Sequence, residues 1–181
     1  MINLRESMKN NKGFSLLELL IVIAIGAVLI GGAAFSLNLL NYGDVTKCAR
    51  NLNESIRNLK VESVSRSTEY CYLILRFDAT EETYYMVTAV SDEELDEFNW
   101  EEKAQILSYP QKLASGKVNI SYTNRSDGTG LVDLKEKSPL IISYKAESGA
   151  YASEWKQITL ESKGIISSIH MVTKTGNHYI K

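Results

Sequence analysis

Hydrophobic and polar positions divide this chain into three stretches with different periods. Residues 14–40 are almost wholly apolar, and after Glu18 no charge appears until Asp44. As a helix this run is about 40 Å long, enough to span a bilayer. From residue 44 to 66 the pattern becomes amphipathic. Val45, Ala49, Leu52, Ile56, Leu59 and Ser63 recur at spacings of four and three, one stripe of a helix. Lys47, Arg50, Arg57, Lys60 and Arg66 fall on the other faces. The two stretches predict one long helix, its first half in lipid and its second packed on a sheet. Asn38, Asn41, Tyr42 and Gly43 mark the membrane exit and the place for a bend.

Beyond the helix the period changes to two. Residues 70–77 alternate, with Cys71, Leu73, Leu75 and Phe77 on one face and Tyr72, Ile74 and Arg76 on the other. Residues 83–90 are rich in tyrosine and valine and predict a second strand. The short polar link between them predicts a hairpin. Further strands are expected at 117–123, 140–145, 156–161, 165–172 and 178–181. Asp127-Gly128 and Gly176-Asn177 supply turn chemistry. A helix followed by mostly antiparallel strands is an α+β arrangement. Residues 67–181 suffice for one domain, and the chain is too short for two. Only two prolines and the lack of a low-complexity tract argue against a disordered tail.

Glu18 is the anomaly in the apolar run. A lone carboxylate in hydrocarbon costs on the order of 3 kcal/mol by insertion scales, so an intramembrane acid calls for a function and a partner. The residues before it, 1–13, carry Arg5, Lys9 and Lys12 against Glu6. This positive flank places the N-terminus in the cytoplasm and the rest outside. An ordinary secretory signal has a shorter apolar core ending in small residues. Here Gly26, Gly31, Gly32, Ala33 and Ala34 come late, and a cut there would discard the anchor. A cut at Gly13-Phe14 would keep it.

Lys12-Gly13-Phe14-Ser15-Leu16-Leu17-Glu18 resembles the class III signal of type IV prepilins and pseudopilins. In that family a membrane peptidase cuts after the glycine and methylates the new N-terminus. The resemblance implies cleavage between Gly13 and Phe14, N-methylation of Phe14, and Glu18 as the fifth mature residue, where the family has its glutamate. A buried carboxylate needs a cation or takes up a proton. Cleavage creates an α-amino group on Phe14, so Glu18 of one subunit can meet Phe14 of its neighbour. Glu18 is then an assembly residue. Ala24, Ala27, Gly31 and Ala34, at spacings of three, four and three, form a small-residue stripe that permits close helix packing in lipid; general transmembrane composition reads equally well. The family often has a mid-helix proline near the position of Phe35. This chain has Gly31-Gly32 nearby instead, and each glycine weakens a helix by about 1 kcal/mol relative to alanine.

The layout after the anchor is similar to that of minor pseudopilins with a GspH/FimT-type globular domain. Ala49-Arg50-Asn51-Leu52 leads to Leu59-Lys60-Val61-Glu62-Ser63-Val64-Ser65-Arg66, and two strands follow directly. The closing stretch Ile158-Thr159-Leu160, then Gly164 and strands to the end, also fits. This resemblance suits other minor pilins as well. It implies a leader at 1–13, a transmembrane and assembly helix at 14–40, its amphipathic extension at 41–66, and a β-rich extracytoplasmic head at 67–181.

The remaining candidates for chemistry carry less. Cys48 and Cys71 sit where a disulfide is possible outside the cell. A returning strand brings Cys71 back only about 15 Å, whereas Cys48 lies about 27 Å below the helix end; two buried thiols are expected instead. His170 and His178 are the only histidines and are expected to face each other across the last hairpin, too few ligands for zinc. Asp92, Glu93, Glu94, Asp96, Glu97, Glu101 and Glu102 suggest calcium. Their spacing matches no EF-hand loop, so a solvated acidic loop without cofactor is expected; Phe98 and Trp100 in it can cap the core or contact a neighbouring subunit, and capping is the preferred reading. No nucleophile, phosphate loop or metal motif appears, and no enzyme is expected.

Charge bears on partners. Residues 67–181 hold 12 Lys+Arg and 17 Asp+Glu, a net of −5, whereas residues 44–66 hold five basic and three acidic side chains. An acidic head does not favour broad nucleic-acid binding, although the pattern leaves a role in DNA uptake open. A basic helix segment beside acidic heads of neighbours can help subunits order. The expected partners are the prepilin peptidase, other pilin or pseudopilin subunits, the inner-membrane assembly platform and the membrane itself. The expected function is that of a minor pilin or minor pseudopilin, in a type IV pilus-like filament or a type II secretion pseudopilus. The alternatives are a major pilin and a membrane-anchored binding module that does not polymerise.

Overall fold

The computed structural model describes residues 16–66, 70–125 and 127–181; side chains within the first helix are described at 16–28 and from 44 onward. Helix α1 spans Leu16–Ser65. The chain comprises two compact units, Met1–Leu40 and Asn41–Lys181.

The second unit is an α+β head. Its strands are β1 (Tyr70–Asp78), β2 (Thr83–Ser91), β3 (Gln105–Ile106), β4 (Gln111–Ser115), β5 (Asn119–Thr123), β6 (Val132–Asp133), β7 (Leu140–Ser143), β8 (Gln157–Ser162), β9 (Ile165–Val172) and β10 (Asn177–Ile180), with a one-turn helix α2 at Trp100–Lys103. They form two five-stranded sheets. The first runs β3-β2-β1-β7 with β4 also on β2, and the second runs β10-β9-β8-β5-β6. Every pairing is antiparallel.

The helical stripe predicted from spacing is the face that α1 buries. Val45, Ala49, Leu52, Ile56, Leu59 and Ser63 are all buried. All but Ser63 share one core with Cys71, Leu73 and Leu75 of β1, Leu140 and Ile142 of β7, and Ile120, Ile158, Leu160 and Ile169 of the second sheet. Alternation along β1 sends Tyr72 and Ile74 to the opposite face, where a second cluster forms with Ala89 and Leu95 under Trp100, Ala104 and Ile141. Buried Tyr84 links the sheets, its hydroxyl accepting a hydrogen bond from the Ile120 N–H at 3.5 Å.

Turn chemistry fixes the register. Asp78 Oδ1 accepts from the Thr80 and Glu81 N–H groups, at 2.9 and 3.2 Å, and closes the β1–β2 hairpin. Lys163 (φ 50°) and Gly164 (φ 80°) form the two-residue link between paired Ser162 and Ile165, the positive-φ geometry that matches strand twist. The expected strand at 165–172 is found with those bounds, and the others within a few residues. Strands β3, β4 and β6 and helix α2 were not expected.

The final hairpin corrects one expectation. His170 pairs with Tyr179, and His178 with Met171. The histidines therefore point to opposite faces of the ribbon and do not face each other. His170 stacks on Tyr179, with ring centroids 5.2 Å apart.

Candidate assembly and subunit-contact sites

In the first unit, Leu16, Leu17, Leu19, Leu20, Ile21, Val22, Ile23, Ile25 and Val28 all expose much of their side chains. So continuous an apolar surface marks an interface with lipid or protein. Glu18 stands in its first turn and is exposed. Ala24 and Ala27 are exposed on the same segment, and a Cβ at Gly26 would meet nothing within 4 Å. Gly31 and Ala34 continue the helical backbone, but their side chains are not among those described. Gly13 and Phe14 lie outside the described residues.

In the head, two features face solvent. The first is the acidic loop after β2. The Tyr72 hydroxyl accepts from the Leu95 N–H at 3.0 Å and donates to the Glu93 carbonyl at 3.3 Å, holding the loop to β1. Asp96 Oδ1 accepts from the Phe98 and Asn99 N–H groups, and the Asn99 amide reaches the Asp96 N–H and the Glu94 carbonyl. Glu93 pairs with Lys103, which holds its carboxyl below the ordinary range, and Glu97 pairs with Lys137 at 3.1 Å. Among the described residues no group of three His, Cys, Asp or Glu side chains is placed to hold a metal ion. Of the two aromatics, Trp100 packs on the second core cluster. Phe98 does not cap the core: it is 87% exposed.

The second feature is an open groove of about 490 Å³ between α1 and the β9–β10 turn, lined by Asn53, Arg57, Lys60, Val61, Gly176, Asn177 and His178. Lys60 Nζ donates to the Thr175 carbonyl at 2.9 Å and to Asn177 Oδ1 at 3.2 Å. The His178 Nε2–H donates to the Asn53 carbonyl at 3.2 Å. Burial, then the Lys60 and Arg57 charges, push the His178 pKa down against the hydrogen bonds that raise it. The Arg57 side chain makes no hydrogen bond or ion pair among the described residues. Arg57 and Lys60 were legible as basic positions off the buried stripe; their meeting with His178 across 118 to 121 residues of sequence was not.

Cys48 and Cys71 are buried and no disulfide joins them. Burial, aided by the Asp44 carboxylate, pushes the Cys48 thiol up to about 12, which removes it from thiolate chemistry.

Comparison with known families bears on the first unit. Residues 8–34 match the prokaryotic N-terminal methylation motif. The chain carries a pilin-type N-terminal signal. No curated protein and no solved structure matches the chain. The motif covers Gly13, Phe14, Glu18, Ala24, Ala27, Gly31 and Ala34. It supports a pilin-type structural, non-enzymatic subunit, made as a membrane-anchored precursor, processed by a prepilin peptidase and in contact with other pilin subunits. Among the described residues no helix is long and apolar enough to cross a membrane. The apolar run with described side chains there is Leu16–Val28, and the remainder of the expected span lies beyond them.

Proposed function

We propose that this chain is a minor pilin or minor pseudopilin, with a head of the GspH/FimT type, in a type IV pilus-like filament or a type II secretion pseudopilus. The observation that carries this reading is the methylation motif at residues 8–34, joined to a chain whose remainder is an α+β head. The peptidase removes 1–13 and methylates Phe14. Residues 14–40 anchor the subunit before assembly and enter the filament core afterwards, with 41–66 extending that helix and 67–181 outside. The exposed apolar side chains from Leu16 to Val28 support a segment made to be covered. The Ala24, Ala27, Gly31 and Ala34 stripe admits a neighbouring helix closely. The work is structural and needs no cofactor.

Glu18 supplies register. Its carboxylate is compensated in a dry helix bundle by the Phe14 amine of the next subunit, and that amine exists only after the cut. N-terminal sequencing and intact mass of the mature chain test the reading: the expected species begins with methylated Phe14. Glu18→Ala is expected to be cut normally yet be missing from sheared filaments. A mature chain that keeps residues 1–13, or a Glu18→Ala subunit incorporated at the parent level, overturns it.

A further inference from the structure

We propose that the Arg57–Lys60–His178 groove receives the acidic Phe98 loop of a second copy of this chain, giving a head-to-head contact between two copies. The inference rests on the pilin-type reading for its geometry and goes beyond it in naming the two surfaces.

The groove has the chemistry of a carboxylate receptor. Arg57 is exposed and has no ion-pair partner among the described residues. Lys60 is held in place by the Thr175 carbonyl and Asn177, and neither contact neutralises its charge. His178 lines the same groove, its imidazole lowered first by burial and then by the Lys60 and Arg57 charges. The neighbouring Glu62 is engaged by Arg66 at 3.3 Å. Val61, 66% exposed, adds an apolar surface to the lining.

The loop is the complement. Phe98 stands out from it, and Asp92, Glu94, Glu101 and Glu102 surround Phe98 in sequence without ion pairs among the described residues. Tyr72, Asp96 and Asn99 fix the loop backbone, so little entropy is lost on docking. An exposed aromatic among carboxylates complements an exposed valine beside Arg57 and Lys60. Within one copy the two surfaces cannot meet. The loop packs through Leu95 and Trp100 on the Tyr72–Ile74 face of the first sheet, while α1 packs on the opposite face. A contact between unlike faces is heterologous.

Crosslinking between full-length copies tests this. Val61→Cys and Phe98→Cys copies bearing different tags are co-produced in the native cells and oxidised. Both positions are exposed, so folding is retained. The expected product is a disulfide dimer carrying both tags, with little from either variant alone. Arg57→Glu is expected to cut its yield at least tenfold, and Glu101→Lys with Glu102→Lys in the Phe98→Cys copy to restore it. A processed, filament-forming chain without the mixed dimer overturns the contact and leaves the pilin reading intact. A mixed dimer from a chain never cut at Gly13 supports the contact and sinks the pilin reading. Equal yields from Val61→Cys alone overturn the heterologous arrangement.

Discussion

The Tyr72 hydroxyl accepts a hydrogen bond from the Leu95 N–H at 3.0 Å, so a side chain of the first strand holds the loop that leaves the second. Leu95 is buried in the same cluster as Tyr72, and burial raises the phenol to about 12. It stays protonated and also donates to the Glu93 carbonyl. Tyr72→Phe keeps the ring and leaves a buried N–H without its acceptor. Such an orphan costs about 1–3 kcal/mol. The expected result is a lower urea midpoint and faster hydrogen exchange at the Leu95 amide, with the hairpin partners of β1 unchanged. Parent-level protection at Leu95 would show that the hydroxyl does not hold the loop.

Why the helix and long strands could be read in advance, and the loop could not, follows from where the information lies. Leu52 and Ile56 are buried because a helix places every third or fourth residue on one face. Leu73 and Tyr72 separate into two clusters because a strand alternates. These are local consequences of spacing. Gln111–Ser115 forms β4 with few apolar residues, because β2 supplies a partner edge and a register shift between Tyr84 and Tyr85 accommodates it. That pairing is decided by tertiary contact, not by propensity. The same holds at the groove, where Arg57 and His178 meet only because β10 returns to α1. Phe98 stays outside for a related reason: its neighbour Trp100 already covers the cluster. Glu18, by contrast, stood out from sequence because the anomaly was its own local context.

Ser63 ends the buried helical stripe at 1% exposure, and its hydroxyl has no hydrogen-bond partner among the described residues. An unsatisfied buried hydroxyl is a net cost, since its water partners are lost and not replaced. Ser63→Ala removes the orphan and improves helix propensity. We expect stability to rise by about 1 kcal/mol, read as a higher denaturant midpoint at unchanged slope. A loss of stability would reveal that the hydroxyl is bonded after all.

Gly176 closes the β9–β10 turn at φ 62°. A Cβ there would collide with the Gly149 carbonyl and approach Tyr144 Cε1 at 3.0 Å. The backbone conformation alone disfavours an L side chain by about 1–2 kcal/mol. Gly176→Ala should therefore destabilise by at least about 2 kcal/mol, with the clash added to the strain. The turn also positions Thr175 and Asn177, the partners of Lys60, so Lys60 should lose its order in the same variant. Comparable melting of Gly176→Ala and the parent would contradict both points.

His178 sets the direction of the pH dependence near neutrality. Its imidazole is held below the ordinary value of 6.5, first by burial and then by Lys60 and Arg57 on α1, while hydrogen bonding to Asn53 and the Gly176 backbone opposes this. His170 is lowered too, by burial and then Lys181. Between the lowered folded value and the ordinary one, the unfolded chain binds more protons than the folded chain. Stability therefore rises with pH through that window and falls as the pH drops below about 6.5. Glu93, lowered by Lys103, adds a loss of the same sign only below its ordinary value of 4.5, so the two windows separate. The measurement is Tm between pH 7.5 and 5. The parent should hold its Tm down to about pH 6.5 and lose it below, His178→Gln should flatten the slope there, and His178→Gln with His170→Gln should flatten it further. An unchanged slope in both variants would place the titration elsewhere in the head.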